Sequence, residues 1–430
     1  MLILEPTITI PIHNHLPGDL MKNASRTLAV VSSCALLLSA SSALPQDWPQ
    51  WRGQNRDGKA TGFNAPQTWP KELTQKWKVT VGLGDATPIL VGDKLYVFAR
   101  QDGSEVARCL DAATGKEIWQ EKYDALGATG PASGHSGPRS SPAVAHGKVV
   151  TLGVRGTLSC LDAATGKTLW RKDDFQGAWP PFFTSSSPII VDGLCIAQLG
   201  GKANSAIAAY DLTTGEPKWK WSGDGTAYAS PAVMTLGGAK WVIAQTESKM
   251  VAVRPADGKL VWEVPFAVRG RGYNASTPIV DGQTIIYGGQ DRGIKAVKLE
   301  KEGDSFVAKE LWSNAETSAQ FNTPVLKDGL LFGVTQNGDF FCINAQTGKL
   351  AWTTPGGGGR GGYGSVVDAG SVLLALTPKS QLVAFQPSEK EYKELASYKA
   401  AETPTYAHLA LSGNRVFVKD QDSVTLSTVE

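Results

Sequence analysis

Ten residues, LDAATGKEIW at positions 110–119, recur as LDAATGKTLW at positions 161–170. Self-similarity at a period of about 20–50 residues marks architectures in which each unit buries its apolar face only against its neighbours. Looser copies close at Trp219 (YDLTTGEPKW), Trp262 (VRPADGKLVW) and Trp352 (INAQTGKLAW). A longer variant closes at Trp312, and a degenerate one, FQPSEKEYKELASY, puts Tyr398 in the Trp place. Each copy reads as strand, tight turn, strand. The Asp or Asn caps the turn through its own backbone, the Gly supplies positive φ, and the Trp is large enough to bury between neighbouring sheets.

A second signature alternates with the first. SSPAVAHGKVV near Ser141, SSPIIVDG near Ser186, ASPAVMTLGG near Ser230, STPIVDG near Ser276 and NTPVLKDG near Asn322 each read as a short strand opened by Pro and followed by a Gly turn. Proline is tolerated at the first residue of a strand. Starts at Ala86, Ser141, Ser187, Ser230, Thr277, Thr323, Ser365 and Tyr406 give eight units of four antiparallel strands, A to D. The last unit stops without its Trp strand, whereas LTQKWKVTV around Trp77 is a Trp strand with nothing before it. The spacing therefore predicts an all-β, eight-bladed β-propeller over residues 73–430. The N-terminal strand around Trp77 closes the ring and removes the exposed sheet edges.

The chain has 430 residues, with 47 Gly, 24 Pro and a net charge of +2. That balance gives no reason to expect nucleic acid or an anionic membrane surface as a partner. Residues 1–20 read as a non-native upstream extension, with Met21 as the start. Residues 21–43 read as a signal peptide: Lys22 and Arg26, an apolar run, then small residues at a cleavage site. Lipidation at Cys34 is not expected, because the apolar run continues past it. Residues 44–72 form an N-terminal segment. No later stretch is apolar enough to span a membrane, so the mature protein is expected in the periplasm or secreted, as a monomer. Cys109, Cys160 and Cys342 occupy one repeat position and Cys195 another strand; all four read as small buried hydrophobes, not disulfides.

The D-A-x-T-G-K-x-x-W units followed by S/T-P resemble the repeats of the pyrroloquinoline-quinone-type β-propellers, from about Trp48 to the C-terminus. The DWPQWRGQNRDG stretch from Asp47 resembles the short segment that precedes their first blade. The resemblance implies one of two functions. One is an exported non-catalytic scaffold like BamB, binding a protein, peptide or extracellular polymer at the cell envelope, with no cofactor. The alternative is a quinone- and Ca²⁺-dependent dehydrogenase acting on alcohols or sugars. The dehydrogenases cover their cofactor with a disulfide between adjacent cysteines, and this chain has no Cys-Cys pair. It also shows no match to their acidic segment and no Asn and Glu placed as a calcium pair. The scaffold reading is therefore preferred, and no catalytic or metal-ligating residue is assigned.

Long D-to-A loops and the B-to-C turns fall on one face of a propeller, and long loops on a rigid scaffold carry binding. The expected binding face takes His135, Arg139, Trp179, Arg269, Arg271, Tyr273, Asp291, Arg292, Arg360 and Tyr363. Tyr228, Tyr406 and His408 lie near A-strand starts, where they either line the channel or pack structurally. The Gly run at 356–359 lies between two strands and lacks the helix N-terminus a phosphate loop needs. The histidines form no ligand spacing.

Overall fold

The computed structural model describes residues 47–268, 270, 272–303, 305–354 and 362–430. The signal-peptide reading and Cys34 lie outside these residues. Eight four-stranded antiparallel sheets follow one another, each in the order A-B-C-D. We number the blades by their residues: 1 (89–124), 2 (143–172), 3 (189–221), 4 (232–265), 5 (279–314), 6 (325–354), 7 (365–399) and 8 (410–428). Blade 8 takes its D strand, Thr74–Thr80, from the other end of the chain. Trp77 lies opposite Leu426 and Val79 opposite Val424, so the ring is closed as the split repeat implies.

The repeat motif is the contact between blades. The indole Nε1 of each D-strand Trp donates to a main-chain carbonyl in the C-to-D turn of the next blade. Trp77 reaches Ala112 O at 3.2 Å, Trp119 reaches Ala163 O at 3.1 Å, and Trp170 reaches Leu212 O at 3.0 Å. Trp219, Trp312 and Trp352 do the same to Pro255, Ala345 and Ser388. Tyr398, in the Trp place of blade 7, donates its hydroxyl to Pro70 O, just before the closing strand. For Trp77, Trp119, Trp170, Trp219 and Trp312 the ring lies against the Gly of that same turn: a Cβ at Gly215 would sit 2.6 Å from Trp170 Cγ. Trp and Gly of the motif thus meet across blades, not within one. Trp262 instead faces the long hairpin of blade 5, Ile294–Glu302 with Ser305–Asn314, and is buried in a cluster with Leu299.

A second belt runs around the channel at the S/T-P positions. His408 N donates to Thr87 Oγ1 (3.1 Å), Thr87 N to Ser141 Oγ (3.0 Å), and Ser141 N to Ser187 Oγ (2.9 Å). Ser187 N donates to Ser230 Oγ, Ser230 N to Thr277 Oγ1, and Thr277 N to Thr323 Oγ1. Each hydroxyl accepts the amide of the blade before it. Aligned on their strands, the equivalent residues of blades 7 and 8 are Gly364 and His408, one and two residues from the Ser365 and Tyr406 expected from the repeat. Gly364 has no hydroxyl to offer, and blade 6 meets that loop instead through Asn322 Nδ2, which donates to Gly362 O at 2.9 Å.

The four described cysteines are free and buried, as expected of small core residues. Burial pushes the thiols of Cys109, Cys160 and Cys342 up to about 12.

The Trp-on-Gly contact makes a paired prediction. Gly215→Ala combines a φ of +72° with the Trp170 clash, whereas Gly147→Ala has a similar φ of +68° and nothing within 4 Å. Urea denaturation should show a loss of about 2–4 kcal/mol for the first. The second should lose about 1–2 kcal/mol, the backbone cost alone.

Candidate functional site

The N-terminal segment plugs the channel. Asp47 Oδ1 accepts the amide of Gly92 in the A-to-B turn of blade 1, and Trp48 pairs with Leu90 of the same A strand. The chain then crosses the channel and leaves along blade 7, where Ala60 N donates to Asp368 O, and past Asn414 in the A-to-B turn of blade 8. Two buried arginines hold it. Arg52 donates to Thr323 O (2.6 Å) and Pro324 O (2.8 Å) of blade 6, and Arg56 to Pro188 O and Ser187 O of blade 3. These carbonyls sit where the S/T-P residues open their strands. Neither arginine pairs with a carboxylate, and burial lowers both. Trp51 stands at the tip of the plug. Its Nε1 donates to Thr277 Oγ1 at 3.1 Å, and its ring lies 4.2 Å from that of His408.

Above Trp51 the channel opens into a cavity of about 530 Å³ at the long-loop face. Its floor is Trp51 with Ser230, Thr277, Thr323 and His408 of the belt. Its wall comes mainly from the residues two places before the belt position in each blade: Asp85, Arg139, Ser185, Tyr228, Ala275, Phe321 and Tyr406. Longer loops add His135, Phe182, Tyr273 and Tyr363. The aromatic members touch in sequence around the mouth. Ring centroids lie 5.0 Å apart for Phe182–Tyr273, 6.2 Å for Tyr273–Phe321, and 4.5 Å for Phe321–Tyr363. Tyr363–Tyr406 are 5.0 Å apart and Tyr406–His135 4.7 Å. Arg139 closes the collar by donating to the main-chain oxygens of both Phe182 and His135.

The polar groups of the wall are few. His135, at the end of a short 3-10 turn (Gly130–His135), donates Nδ1–H to Asp85 Oδ2 at 2.7 Å, which leaves Nε2 as an acceptor in that tautomer. Burial lowers the Arg139 guanidinium, with Asp85 acting in the opposite sense. Tyr228 accepts the Phe182 amide at 3.0 Å and keeps its own O–H to donate; burial pushes it up to about 12.

Of the ten residues expected on the binding face, His135, Arg139, Tyr273 and Tyr363 meet in this cavity. Trp179 lies beside it, stacked on Phe183 with Arg155 over its ring. Asp291 is exposed in a B-to-C turn and bonds Gln336 of the next blade. Arg292 braces the loop into blade 5: it donates to Phe266 O (3.0 Å) and Asn274 Oδ1 (2.6 Å) and lies over the Phe266 ring. Arg269, Arg271 and Arg360 fall outside the described residues. Trp51, Asp85 and Phe321 were not expected, while Tyr228, Tyr406 and His408 line the channel. Position two before S/T-P is the signal that finds most of them.

A family model described as outer membrane protein assembly factor BamB, built on PQQ-like repeats, matches residues 102–354. The chain belongs to this PQQ-like repeat propeller family. BamB of Burkholderia pseudomallei is 23% identical over 361 residues, covering 74% of this chain and 88% of that protein. The quinohemoprotein alcohol dehydrogenase of Comamonas testosteroni is 30% identical over 194 residues, 43% of this chain but 27% of the dehydrogenase. The chain thus spans about a quarter of that relative's length. The fold is similar to the crystal structure of Moraxella catarrhalis BamB (TM-score 0.62, 14% identity, 83% of this chain and 97% of that one). It is similar to that of the Comamonas dehydrogenase as well (TM-score 0.67, 17% identity, 91% and 81%).

Both branches of the family therefore match, and the fit of a calcium-held quinone has to be judged on the lining. Calcium takes six to eight oxygen ligands. Among the described residues Asp85 is the one carboxylate that lines the cavity, and one of its oxygens is bonded to His135. Among the described residues no cluster of three or more His, Cys, Asp or Glu is placed to hold a metal. The residues present do not suit that cofactor. Nor, among them, is any helix long and apolar enough to cross a membrane.

The buried floor titrates in a definite direction. His408 is held well below its ordinary value by burial, with Arg52 adding to the shift. A depressed histidine is neutral in the folded state while the unfolded chain takes up a proton near pH 6.5, so its contribution to stability is lost as pH falls below that value. His408→Asn should remove up to about 1.4 kcal/mol of acid destabilisation per pH unit below 6.5. Urea unfolding of both proteins at pH 7.5 and 5.5 measures it, and the gap between them should narrow at the lower pH.

Proposed function

We propose that the protein is an exported, non-catalytic binding propeller that engages a segment of a protein, peptide or polymer partner of the cell envelope at its long-loop face. The observation that carries this is the aromatic collar. It is a concave site on rigid blades, walled by large side chains whose ordering costs little entropy, of the kind enriched at interface hot spots. The similarity to a BamB protein over 74% of this chain and the leader-like residues 21–43 support an envelope location. Because the described lining offers a single carboxylate, no quinone or metal enters this reading.

Capture after cross-linking from an envelope extract tests it. Wild type should retain partners that Phe321→Ala/Tyr363→Ala loses, while Leu311→Lys, on an outer D strand, keeps them. Circular dichroism checks that all three fold alike. Identical partners for wild type and the collar variant would overturn the assignment of the face. Addition of pyrroloquinoline quinone with Ca²⁺ should leave the cofactor's absorbance unchanged and give no dye reduction with alcohols.

A further inference from the structure

Resting on the reading that the mouth binds a ligand, we infer that the cavity is a saccharide subsite, built to hold one or two pyranose rings of a longer chain. Three features of the wall narrow the chemistry. First, the collar is a nearly unbroken band of ring edges and faces, from Phe182 through Phe321 and Tyr363 to His135, so the ligand must present apolar surface on flat faces. Second, the polar groups are both donors and acceptors: Asp85, His135 and Arg139 lie together beside blades 1 and 2, and Tyr228 stands on blade 4. The Asp85 oxygen not bonded to His135 and, in the tautomer described, His135 Nε2 can accept, whereas Arg139 and the Tyr228 O–H can donate. Third, among the described residues the lining carries one arginine, Arg139, and one carboxylate, Asp85, around about 530 Å³, inside the usual range for small-molecule sites.

A pyranose meets all three conditions. Its C–H faces pack on aromatic rings, and its hydroxyls donate to carboxylate and imidazole while accepting from guanidinium and phenol. The competing ligands each conflict with one feature. A cationic head group would suit an aromatic box but is opposed by Arg139. A polyanion is opposed by Asp85 in the wall. An extended peptide added as a strand needs an open sheet edge, and the A strands at the mouth begin under the hydrogen-bonded belt, with their B partners on one side and the plug on the other. The long-loop face can still touch protein around the rim; the cavity itself fits a sugar.

The experiment is calorimetry of the full chain against trisaccharides of glucose, xylose and N-acetylglucosamine, as neutral probes, and trigalacturonate as an acidic one. At least one should bind with Kd at or below about 1 mM. Phe321→Ala/Tyr363→Ala should weaken that binding about tenfold or more through loss of stacking. Asp85→Asn should weaken it also, and Asp291→Ala, on a turn outside the cavity, should not. Failure of every probe to bind folded wild type overturns the inference, as does binding that the collar and Asp85 variants leave unchanged. If the cross-linking capture still loses partners with the collar variant while no sugar binds, the saccharide inference fails and the binding-face reading stands. If neither responds, both fall.

Discussion

The indole of one blade lying on the glycine turn of the next is the contact on which the rest depends. A Trp buries about 150–250 Å², which at about 25 cal/mol per Å² is about 4–6 kcal/mol as an upper bound. The same side chain satisfies a turn carbonyl that would otherwise be buried unpaired. Each blade therefore gains its stability by being next to another, and a row of such blades leaves two ends unsatisfied. Trp77 resolves this. It sits in the first described strand, pairs with the last, and covers Gly115 of blade 1 as Trp119, Trp170, Trp219 and Trp312 cover the turn glycine of the next blade.

Closure is also what creates a site. Eight A strands around one axis bring together residues more than 300 positions apart, such as Asp85 and Tyr406, which both line the cavity. The hydroxyl belt sets the height of each strand in the channel, since every link joins the same position in two blades. The plug then decides how deep the channel is from the long-loop face. Arg52 and Arg56 grip carbonyls of blades 6 and 3, which holds Trp51 as a floor. A cavity of fixed depth thus follows from two structural devices, the belt and the plug, which together form its floor.

The architecture was legible because its signals are redundant: seven copies of a turn-and-Trp motif, six S/T-P openings, and one blade visibly split between the termini. The finer register was less so. Ser365 and Tyr406 looked like strand openings because Gly364 and His408 lack both the hydroxyl and the following Pro. The lining of the cavity was legible only in part. Loop length and residue type found His135, Arg139, Tyr273 and Tyr363, but they also selected Arg292, whose guanidinium is spent on bracing its own loop. Nothing local distinguishes an arginine that faces a cavity from one that ties a loop. Phe321 sits in a short loop without Gly, Arg or Trp, and Trp51 in a segment with no repeat partner; both needed the closed ring to become visible.

The repeat says little about ligand for a physical reason. Trp, Gly, Asp and Thr of the motif are consumed by the inter-blade contact and its turn, and the S/T-P residues by the belt. These positions have one task each, and a different partner would leave them unchanged. What remains free to vary is the position two before the belt and the loop leading to it. In this chain that position reads Asp, Arg, Ser, Tyr, Ala, Phe and Tyr where it lines the cavity. On the proposed reading the chemistry of this member lies in the collar, where Asp85 and Arg139 among aromatic rings favour a ligand that is polar at its rim and flat at its faces.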